Sequence, residues 1–354
     1  MPTLRLCHGQ RPLALLTAWT VFLLHAPVSE TLHGQEFPSA SRRNTPVVQA
    51  VRNCAASVVN IQGQKSISAG VDPGMPGPAT RQVNGMGTGV VIDPRGYVLT
   101  NFHVVDGVRQ INVTLANGRR YVAQLVAHDR ETDLAVIRIR TPHALPVIEI
   151  GTSSDLMAGE SVVAVGNAYG YEHTVTTGII SALHRNVQVN ETQKYLDLIQ
   201  TDASINPGNS GGPLLNIDGE MIGVNVAVRA GAQGIGFAIP VDKALEVAAE
   251  LISIERLDRH WHGIRMTQVD RQSVKVDNVV RNSPANKSGL LPGDRLARVG
   301  GAKIQRPIDV ERALLGRDAG ERVPVEVIRD GRTVKGDLRV AVLDGRPSGT
   351  RGVA

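Results

Sequence analysis

The sequence predicts a mostly β protein: two barrels of short strands, followed by a smaller α+β domain. Three observations predict it. From Met86 to about Gly151, and again from Gly159 to Pro240, short alternating apolar runs are separated by turns. Between Asp242 and Ile254 the spacing changes, and Ala244, Leu245, Val247, Ala248, Leu251 and Ile252 form the apolar stripe of a connecting helix. From about Trp261 onward strand patterns return around one short helical segment, Asp309 to Leu315, with a late hairpin over Val323–Gly331. Composition agrees: 354 residues suffice for two or three domains, 42% hydrophobic residues supply sizeable cores, and 37 glycines suit a barrel with many tight turns.

At the N-terminus, Arg5 and Arg11 precede a mostly apolar stretch from Leu13 to His25. That stretch is shorter than the roughly 20 residues a spanning helix needs, so residues 1–35 read as a signal peptide, with an uncleaved membrane anchor as the alternative. Leu24-His25-Ala26 and Leu32-His33-Gly34 are both imperfect cleavage sites. The mature chain keeps only Cys54 and has no internal disulfide, and export to a bacterial periplasm is expected. Residues 36–46 read as a polar linker, and Val47–Val59 as a helical or extended lead into the first barrel. Gly63 to Gly85, with its Pro73-Gly74-Met75-Pro76-Gly77-Pro78 run, reads as a loop without regular structure. The expected domains are 47–241 for the two barrels, 242–260 for the connecting helix and 261–343 for the last domain. Residues 344–354 are expected to be a disordered tail.

Chemistry concentrates in three segments. Gly208-Asn209-Ser210-Gly211-Gly212 offers a serine in a glycine-rich turn, Asn101-Phe102-His103-Val104 a base, and Thr132-Asp133-Leu134 a carboxylate at the start of an alternating strand. A serine hydroxyl needs an imidazole to take its proton, and the imidazole needs an acceptor that fixes its tautomer. Ser210 is thus the expected nucleophile, His103 the base and then acid, and Asp133 the orienting group. Gly208, Asn209 and Ser210 form the candidate oxyanion hole, with the Gly208 and Ser210 N–H groups as donors. Singly, each residue has a commoner role in a turn, cap or strand end. The order His, Asp, Ser, with gaps of about 30 and 77 residues, is that of a chymotrypsin-like double β-barrel.

These segments, with Gly87-Thr88-Gly89-Val90-Val91-Ile92, Gln200-Thr201-Asp202-Ala203 and Gly234-Ile235-Gly236-Phe237-Ala238, resemble the HtrA (Deg) family of serine proteases over nearly all of the mature chain. Ser283-Pro284-Ala285 and Gly289-Leu290-Leu291-Pro292-Gly293-Asp294 resemble a single PDZ domain, in which Trp261, His262, Gly263 and Ile264 take the carboxylate-loop position for peptide C-termini. His262 departs from the large apolar residue the family usually has there. The resemblance implies an endopeptidase acting on unfolded or damaged protein, with peptide sensing by the PDZ domain. A homotrimer is implied too, with Phe37, Tyr169 and Tyr171 as the available aromatics. The short 63–85 segment argues against large cages. Asn209 replaces the aspartate that pairs with a newly cut N-terminus in digestive enzymes, so control is expected from loops, among them Asn167–His173 and Gly231–Gly236.

Ser204 stands at the base of the expected specificity pocket, with Ile205 and Ile235 lining it; no acid is present to attract Lys or Arg, so a small or medium apolar side chain is expected. The net charge of +5 is scattered rather than clustered, which points away from nucleic acid. No histidine pair has metal-site spacing and no CxxC occurs, so neither metal nor cofactor is expected. Two rival functions remain beside quality control: a chaperone-like holder, and a signalling protease switched on by a PDZ-bound peptide.

Overall fold

The computed structural model describes residues 43–68, 80–166, 174–188, 193–226 and 234–343. The residues from Arg43 onward form one unit. It opens with helix α1 (Pro46–Cys54), whose start is set locally: Thr45 Oγ1 accepts the Val48 N–H (3.3 Å), and Pro46 sits where no N–H is needed.

Six strands close the first barrel: β1 (Val58–Ser68), β2 (Thr80–Asp93), β3 (Tyr97–Asn101), β4 (Ile111–Thr114), β5 (Arg120–Asp129) and β6 (Leu134–Arg138), in the order β1-β2-β3-β6-β5-β4. Six more close the second: β7 (Ser161–Gly166), β8 (Thr174–Gln188), β9 (Lys194–Thr201), β10 (Pro213–Asn216), β11 (Met221–Val226) and β12 (Gly236–Pro240). Helix α2 (Phe102–Val105) is a single turn after β3.

The first barrel therefore starts at Val58 rather than at Met86. Gly63–Ser68 and Thr80–Gly85 are paired strand, not loop, with Gly63 opposite Gly85 and Gln62 opposite Met86. Glycine is there for room: a Cβ at Gly63 would lie 2.2 Å from Val108 Cγ1. The proline-rich centre of the expected loop lies outside the described residues, as do the signal segment, most of the linker and the 344–354 tail.

The central strands β3 and β6 of the first barrel are buried on both faces. Val59, Ile61, Val91, Val98, Ala135 and Ile137 fill the barrel, while their neighbours Val58, Val90, Leu99, Leu134 and Val136 pack with Val163, Val165, Leu198 and Val224 of the second barrel. A central core thus joins the two barrels, and the site is built from residues of both.

Helix α3 (Val241–Leu251) follows and is shorter than the 242–260 expected. Its Asp242 Oδ2 accepts from Ser153 N–H (2.9 Å), Ser153 Oγ (2.9 Å) and Thr152 Oγ1 (3.0 Å), which ties the inter-barrel chain to the helix start. After one turn of helix, α4 (Ile254–Leu257), the last domain comprises β13 (His260–Trp261), β14 (Ile264–Asp270), β15 (Ser273–Val279), α5 (Pro284–Lys287), β16 (Arg295–Val299), β17 (Ala302–Lys303), α6 (Pro307–Leu314), β18 (Val323–Arg329), β19 (Arg332–Leu338) and β20 (Ala341–Val342). Its sheet runs β14-β15-β16-β18-β19, so β14 is an edge strand.

That domain is held to the barrels by buried charge. Asp93 is 1% exposed and takes Arg95 Nε (2.9 Å) and Arg312 Nε (3.1 Å), while Arg95 donates onward to the carbonyls of Arg312 and Leu315 (both 2.9 Å). Burial pushes the Asp93 carboxyl up, but the hydrogen bonds and charge of Arg95, with Arg312 behind it, outweigh burial and hold it below the ordinary carboxylate value. A depressed carboxyl contributes stability that is full above the unfolded value near 3.9 and fades as pH falls through the lower folded value. Asp93→Asn should therefore lower the melting temperature at neutral pH, with the gap to wild type closing as pH falls through the lowered folded value. A gap of constant size would refute the coupling.

Cys54 is buried, and its thiol is pushed up to about 11 by that burial. Its tryptic peptide should stay unlabelled by maleimide in the folded protein and label fully in denaturant; prompt labelling of the native state would contradict the packing of α1.

Candidate functional site

Asp133 is the best-held residue of the site. It adopts φ 57°, a left-handed conformation that aspartate tolerates better than most residues, and it is 4% exposed. Its carbonyl accepts from Phe102 N–H (2.9 Å) and Asn101 Nδ2 (3.1 Å). Its carboxylate accepts from His103 N–H at Oδ1 (2.8 Å), from His103 Nδ1 at Oδ2 (2.6 Å) and from Tyr195 Oη at Oδ2 (2.8 Å). Strained backbone persists where the surroundings over-determine it, as these five bonds do. With the carboxylate on Nδ1, that nitrogen carries the ring proton and Nε2 is left as the acceptor a nucleophile needs. Tyr195 reaches across from the second barrel. Burial, reinforced by the Asp133 charge, pushes its phenol well above the ordinary value, so it stays a donor.

Ser210 is buried in a turn gripped from both barrels. Its carbonyl accepts from Thr88 N–H (2.8 Å), Thr88 Oγ1 donates to the Gly208 carbonyl (2.6 Å), and Gly211 N–H donates to the Asn225 carbonyl (2.9 Å). Gly211 has φ +81°, and a Cβ there would sit 2.3 Å from both Thr100 Oγ1 and the Thr88 carbonyl, so only glycine fits.

Asn206–Asn209 forms a hydrogen-bonded turn, Asn209 N–H to Asn206 carbonyl at 3.1 Å, with Pro207 at its second position and Gly208 at φ +115° at its third. Proline then a positive-φ glycine is the sequence of a type II turn, whose central peptide is flipped relative to type I. The Asn209 N–H is consumed by this turn, which leaves Gly208 and Ser210, rather than all three residues, as oxyanion-hole candidates. The Asn209 side chain stitches the same loop: Oδ1 accepts from Asn206 N–H and Nδ2 donates to the Ser204 carbonyl, both at 3.0 Å. A carboxamide does internally what an aspartate with a charged N-terminus would do.

The Ser204 carbonyl also accepts from Thr176 Oγ1 (3.0 Å). Ile205 is half-buried against Gly236, where a Cβ would meet Ile205 Cγ1 at 2.6 Å. Ile235 is exposed beside it. Thr176 and Tyr195 lie in no motif, and Thr88 and Gly236, though within family-like segments, have no role that the sequence alone assigns. The expected control loop Asn167–His173, residues 231–233 of the Gly231–Gly236 loop, and the trimer aromatics Phe37, Tyr169 and Tyr171 lie outside the described residues. Among the described residues, His128 packs on Phe102 (centroids 4.1 Å apart), and no group of His, Cys, Asp and Glu is arranged to hold a metal.

In the last domain, Trp261 and His262 are buried, Gly263 has φ +76° with its Cα against Ser283, and Ile264 begins the edge strand β14. His262 Nδ1 accepts the Ile264 N–H (3.0 Å), and its Nε2 donates to Glu311 Oε1 (3.0 Å) on α6.

Two six-stranded barrels with an aspartate-held histidine and a serine in a glycine turn, followed by an edge-strand domain, define a trypsin-like serine endopeptidase with a second, smaller module. The family comparisons agree: the trypsin-like peptidase domain matches residues 87–224 and the PDZ domain residues 262–340. Serine protease HhoA of Synechocystis sp. is 38% identical over 75% of this chain and 73% of its own. A DegP-like periplasmic serine endoprotease of Hahella chejuensis is 37% identical over 77% of this chain and 60% of its own. The solved structure of a variant of the HtrA-type protease AlgW with a decapeptide covers 87% of this chain and 99% of that one, at 33% identity and a TM-score of 0.54. The chain belongs to the HtrA family of serine proteases.

Proposed function

We propose that the chain is a periplasmic quality-control endopeptidase that cleaves unfolded or damaged proteins through Ser210, His103 and Asp133. The observation that carries this is the five-bond cage around Asp133, which fixes one imidazole tautomer; a protein that only held unfolded chains would have no use for it. In the reaction His103 Nε2 takes the Ser210 hydroxyl proton as Oγ attacks the peptide carbonyl. The Gly208 and Ser210 N–H groups receive the developing oxyanion, and His103 returns the proton to the leaving amine.

The protease domain is assigned to 47–241, the connector to 242–260 and the peptide-binding PDZ domain to 261–343. The pocket of Ser204, Ile205 and Ile235, with Gly236 packed against Ile205, suits a small or medium apolar side chain, and assembly as a homotrimer is part of the proposal. Periplasmic location rests on the signal-like N-terminus and on the names of relatives; among the described residues no helix is long and apolar enough to cross a membrane. The peptide-gated reading is favoured by one contact, the Asp93–Arg95–Arg312 cluster, which joins the PDZ helix to the first barrel.

Denatured casein separates the readings. Broad cleavage without additives supports quality control, cleavage only with added peptides supports the gated enzyme, and binding without cleavage would overturn both.

A further inference from the structure

The PDZ carboxylate loop of this chain is capped by its own side chain. A peptide C-terminus is captured by backbone N–H groups at the start of an edge strand, where the ligand then adds as a further strand. Here that position belongs to Ile264, the first residue of β14, and its N–H already donates to His262 Nδ1 at 3.0 Å. Because Ile264 N–H is a donor, Nδ1 must be the bare nitrogen, and the ring proton is on Nε2, facing Glu311 Oε1 at 3.0 Å. Glu311 is itself buried and anchored, its Oε2 accepting the Ile254 N–H at 2.9 Å. A carboxylate arriving at Ile264 therefore meets a lone pair on Nδ1, which repels it.

We propose that His262 is a ligand-binding residue of this PDZ domain, and that capture of a peptide carboxylate is coupled to uptake of one proton at Nδ1. Protonated, the ring offers N–H on both nitrogens. Nε2–H stays on Glu311, whose carboxylate balances the imidazolium, and Nδ1–H turns from acceptor into donor. The incoming carboxylate then takes the Ile264 N–H and the Nδ1–H together, a charge-assisted pair of hydrogen bonds in place of one neutral internal bond. The proton comes from buffer and no covalent bond changes. The charged groups on the elements around the ring are Asp309, Glu311 and Arg312 on α6, Arg265 and Asp270 on β14, Glu255, Arg256 and Asp258 on and just after α4, His260 on β13, and Lys287 on α5. Glu311 is the one whose contact with the ring fixes its Nε2. Since the ring is neutral when free and charged when bound, affinity rises as pH falls and the gain is lost as pH rises.

The inference rests on the reading of residues 261–343 as a peptide-binding domain, and the experiment separates the two. Full-length Ser210→Ala protein is first screened at about pH 6 and about pH 8 against tethered decapeptides ending in every residue type with a free carboxylate. The tightest binder is then measured by calorimetry in buffers of differing ionisation enthalpy. The expected result is net uptake of one proton, and a Kd that tightens by up to about tenfold per pH unit on acidification. The amidated twin of the peptide should bind weakly and without proton uptake. His262→Leu should bind with no proton uptake at all. Tight binding by the wild-type loop with no proton uptake and a flat pH profile overturns the role of His262 and leaves peptide capture standing. Binding of no peptide at either pH overturns peptide capture, and this inference with it. Should His262→Leu fail to fold, the wild-type calorimetry decides.

Discussion

Ser210→Ala is expected to lower cleavage of denatured casein and of a fluorogenic peptide by about a millionfold, the scale seen when a triad nucleophile is removed. That corresponds to about 8 kcal/mol of barrier. The loss should be confined to chemistry. Ser210 takes part in the fold through its backbone, whose carbonyl accepts the Thr88 N–H, and the neighbouring turn is held by Gly211 and Thr88 Oγ1. Alanine keeps all of those bonds and adds no atom where Thr100 and Thr88 leave no room. The melting temperature should therefore stay within a degree or two of wild type, and peptide binding at the PDZ domain should be unchanged. Cleavage at more than a thousandth of the wild-type rate by freshly purified variant would mean that another group attacks the peptide carbonyl.

Much of this site was legible because its chemistry is written in short contiguous runs. His103, Asp133 and Ser210 each sit in a segment whose residue types have a local reason: the helical turn after β3, the residue opening β6, and the glycine turn before β10. What stayed hidden are contacts between segments that share no motif. Tyr195 reaches Asp133 across 62 positions, from one barrel to the other, and nothing about a tyrosine in a strand announces such a partner. The His262–Glu311 pair spans 49 positions in the same way. The first hairpin is hidden in the sequence for a different reason. Glycine density around Gly63 and Gly85 looks like loop, yet a backbone ladder needs no side chains, and here the missing Cβ makes space for Val108. At the proposed pocket, likewise, Ile235 is apolar but exposed, while its neighbour Gly236 packs on Ile205, a contact no motif announces.

Asp133→Asn should be the second most damaging change, with kcat down by about ten-thousandfold and KM little altered, as when the orienting carboxylate of a triad becomes an amide. The geometry says why a single oxygen-to-nitrogen exchange is so costly. Three donors converge on the two carboxylate oxygens: His103 N–H on Oδ1, and His103 Nδ1–H together with Tyr195 Oη–H on Oδ2. An asparagine has one oxygen to offer. If that oxygen takes the place of Oδ2, the amide NH2 confronts the His103 backbone N–H, and α2 must shift. If the amide is turned over, its NH2 faces Nδ1 and donates to it. The ring proton then moves to Nε2, where no base remains to receive the Ser210 proton. The buried phenol of Tyr195, kept a donor by desolvation, worsens the second arrangement, because its hydroxyl must rotate to accept instead. Tyr195→Phe relieves only that last conflict. Alone it should cost about tenfold, since Asp133 retains both bonds from His103 while losing one buried partner. Rates for Asp133→Asn, Tyr195→Phe and the double variant on one fluorogenic substrate test the arrangement directly. The double variant should be no slower than Asp133→Asn alone. An Asp133→Asn enzyme within tenfold of wild type would show that a different carboxylate orients His103.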